Sequence, residues 1–161
     1  MNRRMKLFFV LPALAGISVL GVHAARPHQE ERQTRVTPPF HDAPSPEPLP
    51  AILDASLFRK SPRAFVAYSL AGRIPQTLYQ VPCYCGCDKE DGHQSLHDCF
   101  TSKHGVRCHT CQKEAVFCFV QNQKGKSPAQ IRKAIARDKI SKFNFDKYVE
   151  RFLREIEAPS P

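Results

Sequence analysis

The sequence predicts a mainly α fold: a small helical domain with a cysteine-rich loop, preceded by a signal segment and a proline-rich linker. Three observations lead there. Apolar residues recur at helical spacing in several segments beyond residue 60, and no segment of any length alternates as a strand would. Seven prolines between Pro27 and Pro50 set the first part of the chain apart from the rest. Six of the seven cysteines fall between Cys83 and Cys111, inside the helical part.

Residues 1–24 open with Arg3, Arg4 and Lys6, continue as an apolar run from Leu7 to Val22, and end on Val22-His23-Ala24. A basic start, an apolar stretch and small residues at the end are the pattern of a cleaved secretory signal. The alternative is an uncleaved N-terminal anchor, because the run approaches the shortest length that spans a bilayer. Either one exports the remainder, to a periplasmic or extracellular location. A lipoprotein signal needs a cysteine at its cleavage site, and the first cysteine here is Cys83.

Residues 25–50 combine their prolines with few large apolar side chains, which predicts a disordered spacer. Residues 51–161 are then one small domain. Ser61-Pro62 reads as a helix start, with Ala64, Phe65, Ala67, Tyr68 and Leu70 following and Gly72 as the stop. Ile74-Pro75 begins a brief helical piece through Tyr79, and Val81-Pro82 ends it, because proline disfavours a helical predecessor.

Leu96, Cys99 and Phe100 predict a helix over 95–103 with Gly105 as its terminator, and Cys111, Ala115, Cys118 and Phe119 predict another from Cys108 to about Gln123. Ser127-Pro128-Ala129-Gln130 has the form of a capping box. The final helix, 144–156, carries Phe145, Tyr148, Val149, Phe152, Leu153 and Ile156 on one face.

The formal charge is +9, of which three charges belong to the signal segment. Much of the excess lies in Arg132, Lys133, Arg137, Lys139, Lys142, Lys147, Arg151 and Arg154, interleaved with Asp138, Asp146, Glu150 and Glu155 as on solvated helix faces. No stacking-aromatic motif accompanies these residues, so nucleic acid is not an expected partner.

Cys83-Tyr84-Cys85-Gly86-Cys87 is the densest part of the cluster. The loop must fold to use its thiols together, and Gly86 supplies the backbone freedom. A disulfide between cysteines two apart closes a very small ring, so a metal or distant partners are easier solutions. Cys108 and Cys111 lie three apart, on one face of a first helical turn. His93 and His97, four apart, are the better histidine candidates, with Cys99, His104 and His109 nearby. The candidate metal ligands are therefore Cys83, Cys85, Cys87, His93, His97, Cys99, Cys108 and Cys111, while Cys118 falls at core spacing and reads as a small buried hydrophobe.

Pro82-Cys83-Tyr84-Cys85-Gly86-Cys87, followed by Gly92-His93, Ser95-Leu96, Cys99-Phe100, His104-Gly105, Cys108, Cys111 and Glu114-Ala115, resembles the bacterial PCYCGC-motif family over roughly residues 60 to 140. The resemblance implies an exported protein with a cysteine-rich domain and no established activity. Many members of that family are lipoproteins, and the missing lipobox cysteine is a departure.

Clustered thiolates select soft or borderline ions, which puts copper or zinc first, copper slightly ahead, and iron–sulfur behind. Gln112 after Cys111 argues against covalent haem. An exported metal-binding protein is the leading expectation, its partners a metal ion and a metal-delivery or membrane protein. Two alternatives stay open: a disulfide-stapled interaction domain, since exported thiols tend to pair, and a thiol–disulfide redox protein built on Cys108 and Cys111. No triad or phosphate loop suggests a hydrolase, and Asp88, Glu90 and Asp91 read as a solvated acidic turn.

Overall fold

The structure, a computed structural model, describes residues 36–158. The expected signal over 1–24 and the first part of the expected spacer lie outside the described residues. A 3₁₀ turn, Ala55–Phe58, precedes eight helices: α1 Pro62–Ala71, α2 Pro75–Tyr79, α3 Cys87–Glu90, α4 Asp98–Thr101, α5 His104–Arg107, α6 His109–Gln123, α7 Pro128–Ala136 and α8 Phe145–Glu157. Among the described residues there is no strand, and no helix is long and apolar enough to cross a membrane.

Proline at the first position starts α1, α2 and α7, where its missing N–H costs nothing. The α7 start is a complete capping box between Ser127 and Gln130. Asn144 caps α8 by accepting from the Lys147 N–H. The core centres on α1 and α6, the most extensively packed pair of helices. Val66, Tyr68, Leu70 and Ala71 of α1 join Ala115, Val116, Phe117 and Phe119 of α6, with Leu78, Leu96, Phe100 and Ile131 closing the sides. Burial of each large apolar side chain contributes about 1.5–3 kcal/mol. Tyr68 ties the layers: its ring packs on Phe58 and Phe100, and its hydroxyl donates to the Ser102 carbonyl at 2.6 Å.

Residues 36–50, expected within a disordered spacer, instead pack against the domain without helix or strand. His41 stacks on Tyr79 with ring centroids 3.7 Å apart, and Arg132 lies over the Phe40 ring at 4.2 Å while donating to the Gln80 carbonyl. The Ser45 N–H donates to the Gln76 side chain. Proline restricts the free chain already, so a few aromatic and cation–π contacts suffice to hold this segment in place.

The helix expected over 95–103 shrinks to the single turn α4. Leu96 gives its N–H to the Val81 carbonyl at 2.8 Å, which takes residues 95–97 out of a helix, and Ser102 is extended. Gly105 does not terminate this helix; it lies inside α5. A Cβ there would meet the Cys99 carbonyl and the Tyr68 hydroxyl at 3.0 Å and the Phe100 ring at 3.1 Å. Glycine is required by close packing, and Gly105→Ala is expected to destabilise the domain by about 1–3 kcal/mol. Urea denaturation checks this; an unchanged midpoint would show that the Cys99 backbone yields freely.

Candidate metal centre

Four pieces of chain deliver the thiols. After Pro82 the loop carries Cys83 inward, and Gly86, at φ +91°, makes the left-handed turn that starts α3 at Cys87. Cys99 comes from α4. Cys108 is the N-cap of α6, its Sγ accepting from the Cys111 N–H at 3.4 Å, and Cys111 sits in the first turn. Cys83 Sγ lies 3.3 Å from Cys85 Sγ and 3.5 Å from Cys111 Sγ, Cys85 and Cys111 are 3.6 Å apart, and Cys87 and Cys99 are 3.5 Å apart. All seven cysteines are free thiols.

Two histidines join them. His93 Nδ1 lies 3.4 Å from Cys99 Sγ, and His104 Nε2 lies 3.6 Å from Cys85 Sγ. Asp91 Oδ2 is 3.0 Å from the other ring nitrogen of His104, the arrangement in which a carboxylate orients a metal-binding imidazole. Four overlapping donor sets result: Cys85, His104, Cys108 and Cys111; Cys87, His93, Cys99 and His104; Cys83, Cys99 and Cys111; and Cys83, Cys85 and Cys87, with donor atoms of each set within 4.8 Å of one another.

Of the eight candidates read from the sequence, Cys83, Cys85, Cys87, His93, Cys99, Cys108 and Cys111 come together. His97 belongs to none of the sets; it is fully buried, with Nδ1 3.5 Å from Asp98 Oδ1. The reading that paired it with His93 assumed a helix spanning both, and residues 92–94 are not helical. His104 and Asp91 were missed. The signal for His104 was its place four residues before Cys108, in a His-x₃-Cys-x₂-Cys run; nothing local singles out Asp91.

The thiols do not share one acidity. Contact with Cys111 holds the Cys83 thiol down to about 2, and contact with the Cys111 thiol and N–H lowers Cys108 to about 5. Burial pushes Cys87 up to about 11 and also raises Cys85, while contact with Cys108 and then Cys83 raises Cys111. Glu114 is buried under it, accepting from the Tyr84 N–H at 3.2 Å, and burial followed by the Cys83 charge raises its carboxyl well above the usual range. Cys118 is fully buried away from the donor sets and serves as core.

The donors fit a thiophilic ion. A tetrahedral ion with Zn–S bonds near 2.3 Å holds its sulfurs about 3.8 Å apart, close to the 3.3–3.6 Å separations observed.

Helical scaffold and thiol–imidazole cluster together define a small cysteine-rich domain able to hold a metal ion. The chain belongs to the family described as "Protein of unknown function with PCYCGC motif", whose model matches residues 23–144. Comparison with curated proteins and with solved structures gives no match.

Thiolate character and access together govern alkylation. In the reduced, metal-free protein at neutral pH, iodoacetamide is expected to label half-exposed Cys108 first and buried Cys118 last, with peptide mass mapping as the readout. Early labelling of Cys118 would contradict its assignment to the core.

Proposed function

We propose that the protein is an exported metal-binding protein that holds a thiophilic ion, copper or zinc, at the Cys/His cluster. The observation that carries this reading is the convergence of six thiols and two imidazoles, from sites up to 28 residues apart in sequence, into sets with donor atoms within 4.8 Å. The carboxylate of Asp91 behind His104 supports it, since a solvated acidic turn has no need to fix an imidazole. Export rests on the signal-like pattern of residues 1–24. Copper is ranked slightly ahead of zinc because sulfur-rich donor sets favour Cu(I).

Cys108 favours a second reading, thiol–disulfide exchange. It caps a helix, is half-exposed, has a lowered thiol pKa, and stands three residues before Cys111 as an attacking thiol does before its resolving partner. Inability of the purified protein to reduce or oxidise a test disulfide would remove this reading.

Elemental analysis of protein purified from the exported fraction without chelator, with a free-thiol count on the same sample, tests the first reading. One or more equivalents of copper or zinc are expected, lost when Cys83, Cys85 and Cys87 are changed to Ser. No metal and six oxidised cysteines would favour a disulfide-stapled domain instead. Asp91→Asn is expected to weaken ion binding by about ten- to a hundredfold, measured by chelator competition, with little change in the unfolding of the metal-free protein. Unaltered affinity would detach Asp91 from the centre.

A further inference from the structure

We propose that the cluster is a two-ion centre: one ion held by Cys85, Cys108, Cys111 and His104, the second by Cys87, Cys99 and His93, with Cys83 completing the second set and lying between the two. This deepens the metal-binding reading and rests on it. The ions are closed-shell thiophilic cations, for which Zn(II) is the probe.

The argument begins with donor number. A tetrahedral ion takes four ligands, and eight donors converge here. A single ion on Cys85, His104, Cys108 and Cys111 would leave Cys83, Cys87 and Cys99 as buried thiols beside His93, with no cation to justify grouping them. The two four-donor sets overlap only at His104. That overlap is resolved by Asp91. Its carboxylate, 3.0 Å from His104 Nδ1, commits the N–H on that side, so Nε2 alone is free to ligate, and Nε2 lies 3.6 Å from Cys85 Sγ. The closeness of Nε2 to Cys85 assigns His104 to the first set.

The second set then lacks a fourth donor, and Cys83 supplies it. Cys83 Sγ is within 4.8 Å of the sulfurs of Cys87 and Cys99, from the second set, and of Cys85 and Cys111, from the first. It is 97% buried, in the middle of the cluster. A thiolate has lone pairs for two ions, so a sulfur in this position can also bridge them. Each thiol that ligates gives up its proton to solvent, and no electron is transferred.

The test is titration of the full chain, reduced and stripped of metal, with Zn(II), followed by native mass spectrometry and by competition with a chromophoric chelator. Two equivalents are expected in the wild-type protein. His93→Ala removes a half-exposed donor found only in the second set, and Cys108→Ser removes one found only in the first while keeping an oxygen to cap α6. Each variant is expected to retain one ion, and the double variant none. A wild-type plateau at one equivalent would overturn the two-ion centre and leave the metal-binding reading standing. So would loss of both ions, or retention of both, in a single variant whose helical circular dichroism is unchanged. No Zn(II) bound to the wild-type protein would overturn the two-ion centre, and elemental analysis without copper or zinc would take the metal-binding reading with it.

Discussion

Six thiols, each within 4.8 Å of at least two others, form the constraint around which this domain is built. Sulfhydryls are weak donors and small apolar groups, so they can be buried cheaply as long as most stay protonated. Once several ionise, mutual repulsion in a low-dielectric interior becomes severe. The opposed shifts of Cys83 and Cys108 downward and of Cys85, Cys87 and Cys111 upward express that conflict. A cation removes the conflict by replacing S–H protons with a charge that every thiolate can face.

The same constraint divides the scaffold. α1, α6, α7 and α8 have caps, proline starts or long apolar faces and belong to one hydrophobic core. α3, α4 and α5 are four residues each, too short to hold themselves as helices. They persist because the Leu96 N–H reaches the Val81 carbonyl, because Tyr68 takes the Ser102 carbonyl, and because Gln112 donates to the Gly105 and Val106 carbonyls. The cluster lies on this weaker half. An ion held there would couple its binding to local order.

This division also explains which features were legible in the sequence. The starts of α1, α2 and α7 followed from proline at the first position, the Ser127–Gln130 box was readable residue by residue, and the stripe from Phe145 to Ile156 gave α8 its period. The stretch from 95 to 107 was not legible, because its backbone groups are satisfied by Val81, Tyr68 and Gln112, partners that no local pattern reveals. Periodicity at Leu96, Cys99 and Phe100 reports only that all three are buried, which a broken chain achieves as well as a helix. For the cluster, cysteine density pointed to the right thiols, whereas choosing between His97 and His104 needed the turn at Gly92 and the placement of Asp91. A spacing rule for helices misleads when the helix is absent.

Burial within the cluster is uneven, and this bears on what an ion held there can do. Cys83, Cys87, Cys99 and Cys111 form a buried floor, and Cys85, Cys108, His93 and His104 form a half-exposed rim. A closed structural site surrounds its ion with buried ligands, whereas a site that exchanges its ion keeps some ligands within reach of solvent or a partner. An incoming thiol or chelator would meet the rim donors first and displace them one at a time while the floor still held the ion. Stepwise replacement avoids ever exposing a bare cation, which keeps the barrier to exchange low even when affinity is high. For an ion held there, the half-exposed side is the one open to solvent, and the buried side is what the fold protects.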